Sequence, residues 1–326
     1  MNQSDNYLHR TEIIRKQIEL HLIKLVPETP HSLYDPIRYA LKSGGKHIRP
    51  VLTYFASLSN SKADWLPAAC AVELLHDFTL VHDDIMDNAA TRHGKPTIHE
   101  QYDVNTAILA GDVIIALAEE SLTSGKYEFS DEMMSEFATG FRSVCEGQAF
   151  DKEFELRRDV TTEEYFRMIE LKTAKMLELA AVLGAYTAGG ENVEELRAFA
   201  HHAGVAFQVR DDLLDLTADE ATFGKTIGGD ILEGKRSYLF VTAMQSFDSV
   251  EPEDRDLLIR IQERKATTFD VHHAKKLFTE IGVIENTRKR IEEETMTARK
   301  NVENIRSAEV RRALLQFSEY LLGRVY

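Results

Sequence analysis

The absence of proline from residues 97–251 is the feature that most constrains how this chain can fold. Because proline breaks helices, so long a stretch without it favours long, uninterrupted helices. Apolar residues recur at helical spacing along the chain, whereas no run alternates with period two for long. The sequence therefore predicts an all-α protein, with helices over Trp65–Leu80, Ala107–Leu122, Met133–Phe154, Tyr165–Ala188 and Leu196–Leu216.

Composition places the chain among globular proteins and favours a single domain. The 326 residues are 43% hydrophobic and 29% charged, which excludes collagenous and disordered classes. No linker rich in serine, glycine or proline separates two halves, so we expect one large domain over residues 1–326. The chain becomes markedly charged after residue 250, which predicts solvated outer helices.

Charge, apolar runs and cysteine content predict where the protein works. A net charge of -15 repels nucleic acid and anionic lipid. The least polar stretch, Leu177–Gly190, is shorter than the roughly 20 residues that cross a bilayer. Cys70 and Cys145 cannot form a disulfide framework, and Met1–Arg10 has no apolar run typical of a signal peptide. We therefore expect a cytoplasmic protein without a membrane segment or a nucleic-acid partner.

One acidic pattern, Asp-Asp-x-x-Asp, occurs twice, at Asp83–Asp87 and at Asp211–Asp215. Each motif ends a strongly apolar helix, and its first and last aspartates lie one turn apart on one face. Carboxylates crowded where a helix leaves the core either take up protons or bind cations. A single motif could simply cap a helix, but two copies in matched apolar surroundings predict a metal site.

Magnesium is the metal that these ligands favour. Carboxylate oxygens select hard cations, and Mg²⁺ held by one or two carboxylates completes its shell with water and phosphate oxygens. The expected substrate is therefore a polyphosphate. The predicted metal ligands are Asp83, Asp84, Asp87, Asp211, Asp212 and Asp215.

Basic residues near glycine turns complement the acidic motifs. In the run Gly44–Pro50, Lys46 and Arg49 stand three residues apart at a turn that enters a helix, where free backbone N–H groups also favour anions. This run is a candidate diphosphate cradle. Further basic residues follow the motifs or lie between them: Arg92, Lys172, Lys225 and Lys235.

Together these motifs resemble those of the trans-isoprenyl diphosphate synthases, also called polyprenyl synthetases. The resemblance extends from about Tyr34 to Ala243 and rests on ordered motifs: Gly44–Pro50, Asp83–Asp87 with Arg92-His93-Gly94, Gly147-Gln148, Lys172-Thr173, and Gln208–Asp215 with Gly224-Lys225 and Gly234-Lys235. It implies a single large bundle of long helices around a deep central cavity. It also implies a homodimer, with the two aspartate motifs facing each other at the cavity mouth.

The same resemblance implies a mechanism and a role for each motif. An allylic diphosphate would be held by Mg²⁺, with three ions when substrate is bound, and would ionise to an allylic carbocation. Isopentenyl diphosphate would attack this cation head to tail and lose a proton. The residues implied for catalysis are Asp83, Asp84, Asp87, Arg92, Lys172, Thr173, Gln208, Asp211 and Lys225. Those implied for the allylic diphosphate are Arg92, Lys172, Gln208, Lys225 and Lys235, and those for isopentenyl diphosphate are Lys46, Arg49, His76 and His93.

Product length is predicted from the residues just before the first motif. Phe78 lies five residues before Asp83 and would shorten the pocket beneath the metals, with Thr79 as a small neighbour and Leu75 in the layer below. One aromatic floor resembles the twenty-carbon geranylgeranyl synthases, whereas two aromatics resemble the farnesyl synthases. Farnesyl or longer polyprenyl diphosphates remain alternative products, and Phe78 taken alone is equally compatible with plain core.

Two histidines depart from the family pattern. His47 and His93 stand where arginines are frequent, and histidine supplies a pH-dependent charge rather than a permanent bidentate one. We therefore expect weaker and more pH-sensitive binding of isopentenyl diphosphate.

Three other functions agree less well with the sequence than a prenyltransferase does. A terpene cyclase shares the first motif, but the second motif of this chain is again aspartate-rich, and in a cyclase Lys46 and Arg49 would have no second diphosphate to bind. A non-catalytic partner subunit tends to lose aspartates, and none is lost here. An acidic helical scaffold gives no reason for two matched motifs. The sequence thus predicts an enzyme that joins isopentenyl diphosphate to an allylic diphosphate.

Overall fold

The computed structural model describes residues 3–42, 44–218 and 227–322, and these ranges are mainly helical. The first helices are α1 (Gln3–Leu25), α2 (His31–Leu41), α3 (Ile48–Ala56) and α4 (Leu66–Met86). A short hairpin of β1 (Thr91–Arg92) and β2 (Lys95–Pro96) leads to α5 (Ile98–Gln101), α6 (Val104–Ser124) and α7 (Ser130–Phe154).

The later elements include a helix of uneven pitch. It begins as α8 (Thr162–Ile169), widens to a π-helical turn at Glu170–Ala174, and continues as α9 (Lys175–Thr187). The following helices are α10 (Val193–Thr217), α11 (Gly229–Glu233), α12 (Tyr238–Met244), α13 (Pro252–Gln262), α14 (Thr268–Glu280), α15 (Val283–Glu303) and α16 (Ala308–Leu322).

The chain divides into two compact units. The first comprises residues 1–141, 176–197 and 302–317, and the second comprises residues 142–175, 198–301 and 318–326. The predicted single domain over residues 1–326 stays a prediction. None of the helices in the described ranges is both long and apolar enough to cross a membrane.

Aromatic packing and one close helix approach organise the first unit. Phe55 on α3 is 1% exposed, and its ring lies 5.6 Å from that of Tyr7 and 6.4 Å from that of Phe317. Helix α4 packs along α6. A Cβ atom at Gly111 of α6 would lie only 2.2 Å from the His82 ring, so this glycine allows α6 to approach the end of α4.

Helix α10 fixes the second aspartate motif to the core of the second unit. Its buried Val205 and Val209 lie one turn apart and pack in a cluster with Phe154. Further along the helix, Leu213 and Leu216 join a second cluster that contains Phe240. Apolar residues therefore anchor the helix on both sides of the motif.

The structure confirms the all-α prediction and the five predicted helices. Helix α8 begins with a capping box, in which the Thr161 side chain accepts a hydrogen bond from the Glu164 amide and the Glu164 carboxylate accepts one from the Thr161 amide. Two features were not predicted. One is the β1–β2 hairpin, and the other is the π-helical turn inside the predicted helix over Tyr165–Ala188.

Candidate active site

The first aspartate motif lies at the C-terminal end of α4. Asp83 is partly buried, whereas Asp87, which caps the helix, is exposed. The amide of Asp87 donates to the carbonyl of Asp83 at 2.9 Å, which places the two residues one helical turn apart. Their carboxylates therefore leave the helix on the same face and can share a cation.

Asp84 is buried and anchors Arg92. The residue is 6% exposed, and its Oδ1 accepts a hydrogen bond of 2.7 Å from Nε of Arg92, with Nη2 of Arg92 at 2.6 Å. Arg92 reaches it through the hairpin, where it pairs with Lys95 across a turn that contains Gly94 at φ 75°. The structure thus brings together two of the predicted site residues.

The residues predicted for isopentenyl diphosphate cluster around the start of α3. Lys46 is exposed in the preceding loop, and Arg49 lies in the first turn of the helix. Nε of Arg49 is buried and has no hydrogen-bond partner among the described residues. Burial lowers the pKa of Arg49 and lowers that of His76 well below its usual value. His93 is exposed in the hairpin turn at φ 50°, and its charge, like that of Arg49, helps to lower the pKa of His76.

Phe78 lies one turn before His82 on α4, and its ring belongs to an aromatic group. The ring centroid lies 4.5 Å from that of His82 and 5.1 Å from that of Phe141 on α7, which meets it edge to face. The adjacent Thr79 hydroxyl donates to the carbonyl of His76 at 2.7 Å. The contact between Phe141 and Phe78 was not predicted, because periodicity assigns Phe141 to a helix but does not show which residues it contacts.

The three aspartates of the second motif have different surroundings. Asp211 is exposed, Asp212 is 7% exposed, and Asp215 is partly buried. Oδ2 of Asp215 accepts a hydrogen bond of 3.0 Å from the amide of Asp230. The sequence motif alone does not distinguish these environments.

A chain of hydrogen bonds links Asp212 to two other predicted residues. The Thr173 hydroxyl donates to Oε1 of Gln208 at 2.8 Å, and Nε2 of Gln208 donates to Oδ1 of Asp212 at 3.0 Å. Oδ2 of Asp212 accepts from the Tyr165 hydroxyl at 2.7 Å and from the Tyr238 amide at 2.8 Å. Burial raises the pKa of Asp212 to about 6, although these three donors favour its charged form.

Asp230 is an acidic residue of this region that sequence reasoning missed. Burial raises its pKa well above the ordinary value, and the charges of Asp212 and Asp215 add to the effect. Lys235 is a neighbour, with Nζ 3.6 Å from Oδ1 of Asp230 and 2.9 Å from Oε2 of Glu233. The sequence signal that could have identified Asp230 was its position directly after two glycines, between the second motif and Lys235.

Lys172 and Thr173 are presented by the π-helical turn, a feature that occurs frequently at functional sites. A Cβ atom at Gly147 of α7 would lie 2.5 Å from the amide nitrogen of Lys172, so the glycine allows the two backbones to touch. Nζ of Lys172 lies 2.5 Å from Oδ2 of Asp151, a second acid that sequence reasoning missed. The two predicted motifs Gly147-Gln148 and Lys172-Thr173 therefore meet in the structure.

Several predictions on the site stay predictions. The first motif belongs to the first unit and the second motif to the second unit, so their convergence on one diphosphate is untested. Lys225 lies outside the described residues.

The acidic residues fit magnesium only in part. Within the described ranges, no three histidine, cysteine, aspartate or glutamate side chains are arranged to hold a metal ion by themselves. Asp84 and Asp212 are buried and already accept hydrogen bonds from neighbouring side chains or amides, so they are the poorer candidates for metal ligands. Because Mg²⁺ takes few carboxylates where phosphate oxygens complete its shell, the carboxylates of each motif by themselves fit a metal that binds together with a diphosphate.

Comparison with known proteins agrees with this chemistry. Residues 30–281 match the polyprenyl synthetase family. The chain is 38% identical over 281 residues to the geranylfarnesyl diphosphate synthase of Natronomonas pharaonis, covering 78% of this chain and 82% of that protein. It is 35% identical to the geranylgeranyl pyrophosphate synthase of Geoglobus acetivorans over 97% of both chains. The crystal structure of geranylgeranyl pyrophosphate synthetase from Pyrococcus horikoshii Ot3 matches with a TM-score of 0.90 and 31% identity, covering 99% of this chain and 100% of that chain.

The chain therefore belongs to the polyprenyl synthetase family. It has the all-α isoprenoid synthase fold and is a prenyltransferase, an isoprenyl diphosphate synthase of the short-chain type. These findings confirm the predicted resemblance, fold class and enzyme class. The similar proteins are named as synthases of products that differ in length.

Proposed function

We propose that this protein joins isopentenyl diphosphate to an allylic diphosphate and that its main product is geranylgeranyl diphosphate. The observation that carries the two-diphosphate reaction is the buried Nε of Arg49, a charge-bearing donor without a partner among the described residues. Such a group is costly unless an anion satisfies it. Lys46 in the adjacent loop adds a second cation, so the start of α3 supplies a site for the isopentenyl diphosphate.

Other residues would hold and activate the allylic diphosphate. Asp83, Asp87 and Asp211 would hold magnesium ions, which when bound neutralise the charge of the leaving diphosphate. Arg92, fixed by Asp84, and Lys172, fixed by Asp151, would bind its oxygens. Because these positive groups would already be in place, they would favour the charge separation that occurs when the allylic diphosphate ionises.

The hydrogen-bonded pair Thr173 and Gln208 would face the positive charge that develops on the allylic carbon. The Thr173 hydroxyl donates its proton to Gln208 in a hydrogen bond. The lone pairs of the Thr173 oxygen therefore remain available to the cation. The proton released by the condensation would pass to the departing diphosphate. No side chain then has to form a covalent bond with the substrate.

The direct test is an incubation with labelled isopentenyl diphosphate, Mg²⁺ and each allylic diphosphate of five, ten or fifteen carbons. The alcohols obtained after dephosphorylation are sized by chromatography. We expect a twenty-carbon alcohol as the main product, and its formation should stop when Mg²⁺ is chelated. Failure to incorporate label with any starter would refute the proposed reaction, whereas a different length would refute only the product assignment.

The product length rests on the aromatic pair of Phe78 and Phe141. We expect Phe78→Ala to lengthen the main product by at least one five-carbon unit, because it removes the ring that would close the pocket below the first motif. Phe129→Ala is the matched control, since Phe129 is also partly buried in the first unit but stacks on Tyr186. The measurement is the same chromatographic sizing, and an unchanged profile for Phe78→Ala would contradict the assignment.

We also propose that the protein is a cytoplasmic homodimer. The cysteines are free, with Cys70 buried and Cys145 exposed, which suits a reducing compartment. Helix α6 exposes neighbouring apolar side chains, among them Val104 (48%) and Leu109 (57%), which a second copy could cover.

Charging this face should break the dimer. We expect Leu109→Asp to halve the mass measured by light scattering after size exclusion, because it places a carboxylate in an apolar interface. Leu156→Asp serves as the control, since Leu156 is 87% exposed elsewhere on the chain. A wild-type monomer, or a Leu109→Asp dimer, would refute the proposed interface.

A further inference from the structure

His47 occupies an unusual place between Lys46 and Arg49. It precedes α3 in the left-handed region, with φ 44° and ψ 43°, although it is not a glycine. A non-glycine residue in this region is uncommon and is held there only by its surroundings. Its side chain is 6% exposed, so it does not point to solvent, whereas Lys46 is exposed.

The partner that holds His47 is a glutamate inside α4. Nδ1 of His47 lies 2.6 Å from Oε1 of Glu73, which is 5% exposed. On the other side of the ring, Nε2 lies 3.3 Å from Oε1 of Glu19 on α1. Because the Glu19 side chain is 55% exposed and screened by water, the contact with Glu73 is the stronger of the two.

A buried carboxylate needs a counter-charge, and in the described part of the chain the His47 ring contacts the carboxylate of Glu73 directly. Oε2 of Glu73 has no hydrogen-bond partner in the described part of the chain. The charged and titratable groups that face the ring from the surrounding elements are Lys16 and Glu19 on α1, Lys42 in the loop, Arg49 on α3, and Glu73, His76 and Asp77 on α4.

We propose that His47 does not bind substrate but is a positioning residue, whose protonated ring neutralises buried Glu73 and thereby fixes the loop that presents Lys46 and Arg49 to a diphosphate. This inference rests on the proposed function in one respect, which is that the diphosphate bound by Lys46 and Arg49 is isopentenyl diphosphate. The pairing itself is a property of the protein without ligands.

The electrostatics agree with this role. Burial alone would lower the pKa of His47, but the hydrogen bond and charge of Glu73, with smaller contributions from Asp77 and Glu19, raise it above the ordinary value. Since the folded-state pKa is raised, the stabilisation is fully present below the unfolded-state pKa. It is lost as the pH rises through the folded-state pKa. The loop should therefore loosen at alkaline pH.

The test compares His47→Arg, which keeps the charge, with His47→Gln, which removes it. We expect His47→Gln to raise the KM for isopentenyl diphosphate about tenfold and to leave the KM for the allylic diphosphate nearly unchanged. His47→Arg should keep a low KM and, unlike the wild type, show no rise in KM between neutral and alkaline pH. Each KM is divided by the KM of His47→Arg at the same pH. This ratio removes the effect that protonation of the substrate itself has on KM.

A double-mutant cycle without substrate tests the pairing independently. We expect His47→Gln and Glu73→Gln each to lower the thermal midpoint, and the double variant to recover most of the loss, because the buried charge is then gone. Additive losses would overturn the pairing. If His47→Gln does not fold, the titration of labelled His47 in the wild type by NMR decides, and an ordinary or lowered pKa would overturn the proposal.

These experiments distinguish failure of the proposed function from failure of the positioning role of His47. A wild-type protein that incorporates no isopentenyl diphosphate refutes the proposed function, while the thermal cycle and the NMR titration still test His47. An active wild type whose KM for isopentenyl diphosphate is unchanged in His47→Gln refutes the positioning role.

Discussion

Alanine at Asp211 is expected to lower kcat by about a hundredfold to a thousandfold without changing thermal stability, whereas alanine at the adjacent Asp212 is expected to lower both. Asp211 is exposed and is proposed to act only through a bound metal. Asp212 is the shared acceptor for the Tyr165 hydroxyl, the Tyr238 amide and the Gln208 side chain. Its removal leaves buried donors without that acceptor, which costs about 2 kcal/mol.

The measurement is thermal or urea unfolding of both variants in the absence of metal and substrate, followed by steady-state kinetics. Asp212→Asn is a useful third variant, because its amide can keep an acceptor toward Tyr165 and Tyr238. It should be more stable than Asp212→Ala. Equal stability of the two alanine variants would show that the adjacent aspartates have the same role.

Gly147→Ala is expected to lower kcat by about a hundredfold, because the added Cβ would meet the backbone of Lys172 at 2.5 Å. Backbone cannot move aside as a side-chain tip can, so α7 and the π-helical turn must separate. That displacement moves Lys172 from Asp151 and Thr173 from Gln208. Overpacking of this kind also destabilises by about 1–3 kcal/mol.

Gly140→Ala is the control on the same helix, two turns earlier. Its Cβ would meet Cδ2 of Leu179 at 3.0 Å, the end of a flexible side chain that can rotate away. We expect near wild-type kcat for Gly140→Ala. The interpretation fails if Gly147→Ala keeps full activity, or if both variants lose activity to the same extent.

The helices could be predicted because each carries its own apolar period. The run Leu196–Leu216 predicts α10 and places the second motif at its end, and Val205 and Val209 are buried as the period requires. Periodicity gives no information on contacts between distant residues. It could not show that Tyr165 reaches Asp212, 47 residues away, or that two adjacent aspartates differ in burial.

The motif residues could be named from the sequence, but their partners could not. Spacing marks Lys172 as a candidate, whereas its pairing with Asp151 depends on how α7 meets the π-helical turn. In the same way, His47 looks like a weakened substrate ligand in the sequence. Its buried contact with Glu73 depends on a left-handed backbone that no local pattern predicts.

The wide turn at Glu170–Ala174 makes this stretch sensitive to chain length in a way that regular helix is not. A π-helical turn contains an extra residue relative to an α-helical one, so deleting a single residue would let the backbone close into ordinary α-helix. Side chains beyond the turn would then keep their faces, whereas the same deletion in regular α-helix would rotate them by about 100°. Thr173 would lose the wide turn that places its hydroxyl 2.8 Å from Gln208, so such a variant is expected to keep the helix and to lose activity.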